Sequence, residues 1–195
     1  RVKSSNYDVC YINGYALSCP SQTDLWLVEL FWNEINNVIA QLPERCTPVL
    51  LIDANAKLGL REGLFDNALS LRNMGQFSRA ETDTNGEYFA RLLVSQHMAA
   101  VNSQFFTGST FYHCGGRYSS TVDYICLPTS RMPLVYKCET WNATGSRLQL
   151  INARGLRDHV PLAMYAELEL QFHNPHAKQT KWDHDWIMLN ASQGI

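Results

Sequence analysis

Two hydrophobic periods alternate along the chain, and the switches between them outline its elements. Val9 to Leu17 is a β-branched and aromatic stretch that reads as a strand, ending at the turn-rich Ser18-Cys19-Pro20-Ser21. From Thr23 or Asp24 to Leu42 the residues Leu27, Phe31, Ile35, Val38 and Leu42 recur at three- and four-residue steps, which predicts a helix closed by Pro43. Pro48 to Ile52 is a short continuous apolar run, the pattern of a strand covered on both faces, and it runs straight into Asp53-Ala54-Asn55. Residues 59 to 76, rich in Gly, Asn and Arg, read as an irregular connection. Thr84-Asn85-Gly86-Glu87 has the form of a capping box and predicts a second helix to about Ala100, with Phe89, Leu92 and Leu93 as its apolar face.

Beyond that helix, Val101 to Phe106 and Ser109 to Tyr112 look extended, and Ser120 to Leu127 is a strand stopped by Pro128. Leu148 to Asn152 and Val160 to Phe172 read as the last strands, the second carrying Leu162, Met164, Ala166, Leu168 and Leu170 on one side. The composition then turns to His, Asn, Pro, Lys and Gln, so residues 171–195 read as a linker and the start of a following segment after a domain of residues 1–170. The fold class expected is α+β, with mixed, largely antiparallel sheets and helices outside.

A length of 195 residues, 46% of them hydrophobic and 17% charged, fits one sizeable globular domain. The longest apolar run, around Leu25 to Trp32, is broken by Glu29 and falls short of the roughly 20 residues a bilayer span needs. Arg1 to Asn6 lacks the apolar core of a signal peptide, so the chain reads as starting inside a longer protein, with an intracellular location expected, the nucleus included. It is expected to be a monomer or one part of a multidomain chain. The six cysteines form no CxxC pair and read as reduced thiols, and neither His113-Cys114 nor His173/His176 has the spacing of a structural zinc site. Net charge is −2, so no global field attracts a polyanion. Locally, however, residues 117–157 hold Arg117, Arg131, Lys137, Arg147, Arg154 and Arg157 against Asp123 and Glu139.

Three polar clusters sit at the ends of apolar strands, where a rigid sheet can present side chains to a cleft. In Asp53-x-Asn55 the extended chain puts a carboxylate and an amide on the same side, able to orient water or meet a hard cation; an Asx turn ending the strand explains the same pair structurally. Asp123 interrupts an apolar strand, and burial there calls for a cation or donor nearby. Asp158-His159, just before a strand, supplies a histidine and a second carboxylate, or simply a charged turn.

In this order and at these separations the three clusters resemble the endonuclease/exonuclease/phosphatase superfamily. Ile52-Asp53-Ala54-Asn55-Ala56 is similar to its GD-x-NA motif, Val122-Asp123-Tyr124-Ile125 to its iDyil strand, and Arg157-Asp158-His159-Val160-Pro161 to its SDH-x-P motif. Gly14-Tyr15-Ala16 resembles a Tyr-Ala-Pro strand end, and the likeness covers about residues 6 to 170. It implies part of a four-layer α/β/β/α sandwich and magnesium-dependent phosphodiester hydrolysis with DNA as partner, in an endonuclease that resembles the retrotransposon type. By the same resemblance Asp53 activates water and Asn55 fixes Asp53 and contacts the phosphate. His159, held by Asp123, stabilises the phosphate, Tyr15 hydrogen-bonds it, and Asp158 sits near magnesium.

The departures are as specific. The family's principal metal-binding Glu and an Asn lie on earlier strands with no counterpart before Asn6, and Ile52 and Arg157 stand where Gly and Ser are usual. The chain alone is therefore expected to show little activity and to leave an apolar patch on the sheet face that further strands would cover. A noncatalytic module keeping the sandwich, or a small-molecule phosphatase on the same scaffold, accommodates the same residues.

Overall fold

The computed structural model describes residues 1–3, 7–18, 21–59, 72–78, 82–149 and 155–167. Its centre is a five-stranded mixed sheet built from β1 (Val2–Lys3), β2 (Asp8–Tyr15), β3 (Thr47–Asp53), β4 (Met98–Ala100) and β7 (Asp123–Pro128), in the order β1-β2-β3-β7-β4. Strands β2 and β3 run parallel, and the other pairs are antiparallel. The parallel pair requires a crossover, which α1 (Leu25–Ala40) supplies after a 3-10 turn at Gln22–Asp24.

Strand alternation sorts the core into two clusters. Ile12, Leu50, Ile52, Tyr124 and Cys126 face α1 and α2 (Thr84–Ser95), where Val28, Trp32, Ile35, Ile39, Phe89 and Leu93 complete the larger cluster. Val49, Ile125 and Leu127 face the other way, against Val135 and Cys138 of β8 (Val135–Thr140) and Leu162, Met164 and Ala166 of β10 (Leu162–Ala166). β8 and β10 form a two-stranded antiparallel sheet, so helices, sheet and second sheet stack as three of the sandwich's layers. A small third sheet joins β5 (Phe111–Tyr112), β6 (Ser119–Ser120) and β9 (Asp158–His159) in the order β6-β5-β9. Among the described residues no helix is long and apolar enough to cross a membrane.

Several sequence expectations need correction. The buried stripe of α1 is Val28, Trp32, Ile35 and Ile39, one residue on from most of the predicted one, and Val38 is exposed. The cap of α2 is Asp83, whose side chain accepts from the Gly86 N–H, rather than Thr84. That helix stops at Ser95, His97 takes a positive φ of 51°, and Met98–Ala100 is a buried strand. Val101–Gln104 is a helical turn, α3, instead of extended chain, and Asn142–Leu148 is a helix, α4, that runs into the start of the strand expected from Leu148. Residues 150–152 of that strand, residues 168–170 and the segment 171–195 lie outside the described residues. On the side facing the second sheet, where an apolar patch was expected, the exposed part of β2 carries two tyrosines and an asparagine. Tyr11 is 52% and Tyr15 71% exposed, with the polar Asn13 exposed between them.

Candidate active site

Sheet register brings the first three candidate residues together. Tyr15 pairs with Asp53 across β2 and β3, and Asp53 pairs with Asp123 across β3 and β7, so one row of the ladder carries all three. Parity then sets their direction: Asp53 follows Val49 and Leu51, and Asp123 precedes Ile125 and Leu127, on the face toward the second sheet. The carboxylates thus emerge where the two stacked sheets end. Two backbone bonds continue the ladder past the strands, Ala16 N–H to Asp53 C=O at 2.9 Å and Ala54 N–H to Val122 C=O at 2.9 Å.

Asp53 and Asn55 form an Asx turn in which the Asn55 N–H donates to Asp53 Oδ1 at 3.0 Å. Asn55 has a φ of 42°, a left-handed conformation that Asn tolerates, and its Nδ2 donates to the Ala16 carbonyl at 2.8 Å. The turn explanation accounts for these bonds, and the left-handed Asn55 breaks the extended alternation expected to set its amide beside the Asp53 carboxylate. The fourth residue arrives from a different sheet. β9 pairs His159 with Phe111, and the Val160 N–H donates to the Thr110 carbonyl at 2.7 Å. Thr110 Oγ1 in turn accepts from the N–H groups of Val122 and Asp123 at 3.1 and 3.0 Å. One buried threonine therefore couples the small sheet to the strand that carries Asp123.

This coupling sets the His159 ring against Asp123, with Nδ1 3.1 and 3.0 Å from the two carboxylate oxygens. The opposite nitrogen, Nε2, lies 3.8 Å from Asp53 Oδ2 and 4.0 Å from Asp158 Oδ1. Phe111 packs against the imidazole at a ring separation of 5.1 Å. The hydrogen bond to Asp123 raises the His159 pKa above its ordinary value, reinforced by the charges of Asp53 and Asp158 and opposed by burial. Burial raises the Asp53 pKa, opposed by the hydrogen bond from Asn55. Asp158 is exposed and has a φ of 64°. Arg157, which stands where Ser is usual, lays its guanidinium against Gly116 and donates to the Leu156 carbonyl at 2.7 Å.

Oxygen and nitrogen atoms of Asp53, Asp123 and His159 all lie within 4.8 Å of one another, a spacing compatible with a metal ion. Because Nδ1 already faces both Asp123 oxygens at hydrogen-bond distance, that pair reads better as an oriented imidazole than as two ligands of one ion. Asp53 and Asp158 supply carboxylate oxygens, the donor type that a hard cation takes.

Sequence reasoning missed the supports. Asn85, buried on the first turn of α2, donates through Nδ2 to the carbonyls of Leu17 at 2.7 Å and Asn55 at 3.2 Å and accepts from the Trp32 indole at 3.3 Å. It pins the ends of β2 and β3 to each other. Gly86 beside it lets the helix touch the same loop, since a Cβ there would lie 2.2 Å from the Lys57 carbonyl oxygen. The adjacent cleft, about 410 Å³, is bounded by Asn55, Lys57, Asn85, Phe111, Tyr118 and His159 among others.

With this geometry the chain matches solved structures. It aligns with the Neisseria 3′ phosphatase NExo bound to product DNA hairpin at a TM-score of 0.52, 14% identity and 84% coverage of this chain. The 3′-5′ exonuclease NExo from Neisseria meningitidis gives 0.54, 14% and 84%, and an AP endonuclease from Archaeoglobus fulgidus gives 0.52, 14% and 82%. This is the endonuclease/exonuclease/phosphatase fold. The chain spans 62% of the length of each of these DNase I-like structures. No family model and no curated protein matches the sequence.

Proposed function

We propose that this chain supplies the phosphate-facing part of a magnesium-dependent phosphodiesterase that cleaves DNA internally. The observation that carries the reading is the pairing across the cleft. His159 Nε2 faces Asp53 at 3.8 Å while Nδ1 is held by both oxygens of Asp123. A histidine held in this way presents a fixed, readily protonated N–H to a phosphoryl oxygen, and the carboxylate beside it is positioned to take a proton from water. Asp53 receives that proton as the water oxygen bonds to phosphorus and the bond from phosphorus to the leaving oxygen breaks, its electron pair staying on that oxygen, which takes a proton from solvent. Asn55 holds Asp53 at the required angle, and the exposed Tyr15 hydroxyl and His159 bind the non-bridging oxygens.

Asp158 would contribute a carboxylate to the magnesium ion, which when bound offsets charge on the phosphate. DNA as substrate is supported by the likeness in fold to a phosphatase bound to a DNA hairpin, an exonuclease and an AP endonuclease, and by the basic excess between residues 117 and 157. The sequence resemblance to retrotransposon-type enzymes favours nicking within a strand over trimming from an end. The test is nicking of supercoiled plasmid by the full-length protein with magnesium or with chelator. Magnesium-dependent nicking that falls at least about 100-fold in Asp53→Ala and His159→Ala is expected. Undiminished nicking by both variants rules the assignment out.

A further inference from the structure

Strand β7 carries Asp123, and another strand covers only part of the edge that faces away from β3. On that edge β4 pairs as far as Ala100 opposite Cys126, after which the chain turns away into α3. Side chains take up the next backbone groups of β7 instead. Asn102, buried on α3, donates through Nδ2 to the Asp123 carbonyl at 3.1 Å and accepts from the Ile125 N–H at Oδ1, 3.4 Å away. Thr110 Oγ1 accepts from the Asp123 N–H at 3.0 Å and from the Val122 N–H at 3.1 Å. An amide and a hydroxyl thus serve this stretch as a further strand would, and both backbone groups of Asp123 end on them.

Of the two, Thr110 also reaches the segment of His159. It is fully buried immediately before β5, its own N–H donates to the Ser120 carbonyl at 3.0 Å, and its carbonyl accepts from the Val160 N–H at 2.7 Å. One residue therefore grips the backbone of Asp123 with its side chain and the backbone next to His159 with its main chain. Because β9 is only two residues long, few other bonds place the imidazole. The β-branched side chain restricts χ1, so the hydroxyl is held in place rather than free to turn. The His159 Nδ1 distances of 3.0 and 3.1 Å are at the long end for a hydrogen bond to a charged acceptor, so a small displacement of one segment against the other weakens the contact.

We propose that Thr110 is a positioning residue of the candidate site: its hydroxyl, acting through the backbone of Asp123, sets the contact between the Asp123 carboxylate and the His159 ring. Its effect on turnover rests on the phosphodiesterase reading, whereas its effect on the contact rests on the geometry alone. The hydroxyl and not the methyl group is the part that acts. Thr110→Ser keeps the acceptor of the two N–H groups, and Thr110→Val keeps the shape but leaves both without it.

The experiment measures the energetic coupling between Asp123 and His159 in the full-length protein. Urea unfolding of Asp123→Asn, His159→Gln and the double variant gives that coupling in wild-type, Thr110→Ser and Thr110→Val backgrounds. It is expected in the first two and lost in Thr110→Val. In parallel, magnesium-dependent nicking of plasmid by Thr110→Val should fall about 10- to 100-fold in kcat with KM within about twofold of wild type, and Thr110→Ser should keep most of the rate. A merely structural role lowers the unfolding midpoint of Thr110→Val and leaves the coupling at its wild-type value, a result that overturns the proposal. Loss of coupling in Thr110→Ser with retention in Thr110→Val overturns it as well. If Thr110→Val does not fold, Thr110→Ala, which removes the same hydroxyl and leaves room for solvent, is read by the same criteria. Coupling is measured without turnover, so its loss in Thr110→Val, alongside nicking that is indifferent to His159→Ala and Asp53→Ala, defeats the catalytic assignment and leaves the positioning role standing.

Discussion

Replacing Asp123 by Asn tests the hinge of the site, because it keeps the side-chain shape and removes the charge that His159 Nδ1 faces. In the folded protein that nitrogen sits 3.0 and 3.1 Å from the two oxygens, a hydrogen bond to an ionised acceptor worth about 1.5–3 kcal/mol when shielded. The histidine side chain is 41% and the aspartate 24% exposed, so screening by water brings the expected loss down to about 1–2 kcal/mol. The pH dependence follows from the direction of the shift. His159 has its folded pKa raised above the ordinary 6.5, so its contribution is fully present below about pH 6.5, provided Asp123 stays ionised, and fades as pH rises through the folded pKa. Urea unfolding of wild type and Asp123→Asn should therefore differ most in mildly acidic buffer and converge toward alkaline pH. The imidazole of the variant, followed by NMR, should titrate at lower pH. Cleavage by the full-length variant should fall about 5- to 30-fold, the rate equivalent of the same energy. Unchanged titration of His159 together with a pH-independent stability difference would refute the pairing.

Asp53→Asn should separate function from stability. Burial raises the Asp53 pKa, so the ionised carboxylate costs stability above its folded pKa, and the amide variant should unfold at equal or higher urea at neutral pH while cleavage drops about 10²- to 10⁴-fold. A variant that is less stable at pH 7 and fully active would contradict both halves. Asn85→Ala strips partners from the carbonyls of Leu17 and Asn55 and from the Trp32 indole, which should cost about 1–3 kcal/mol in thermal or urea unfolding and lower kcat more than it raises KM. An effect on stability alone would make Asn85 a core residue with no bearing on the site.

The elements that were legible are those where one physical demand dominates. The apolar runs of β3 and β7 read correctly because both faces of these strands are covered, by helices on one side and the second sheet on the other. The stripe of α1 was misread because the sequence offers adjacent apolar pairs, Leu27-Val28, Phe31-Trp32 and Val38-Ile39, and helical spacing fits either member. Tertiary packing chose Val28, Trp32 and Ile39, with Trp32 stacked on Phe89 at 5.2 Å and Phe89 against Tyr124 at 5.0 Å. Met98-Ala99-Ala100 extended the helical pattern of α2 on propensity, but the edge of the five-stranded sheet recruits it for β7. β8 was invisible because Val-Tyr-Lys-Cys-Glu-Thr has too few apolar positions to stand out. At the candidate site, Asp53, Asn55, Asp123 and His159 stood out in the sequence because polar residues at the end of an apolar strand are conspicuous. Asn85, Thr110 and Asn102 were not, since the partners of each are distant in sequence. Asn85 reaches Leu17 across 68 positions, and Asn102 reaches the Asp123 carbonyl across 21.

The two halves of the candidate site are secured to different depths, and this bears on how it works. Tyr15, Asp53 and Asp123 share one row of a sheet whose parity is fixed by fully buried residues such as Leu50 and Cys126. A one-residue slip would turn every one of these side chains to the opposite face, so the row is as stable as the core. His159 belongs to a two-residue strand, β9, joined to the two-residue β5 and to Thr110, and its ring is partly exposed. Local opening of that short pairing would withdraw the imidazole while leaving the carboxylates in place. The Asp123–His159 contact is then the bond that closes the site across two sheets, and a phosphate seated on Nε2 would favour the closed form by the affinity it gains there.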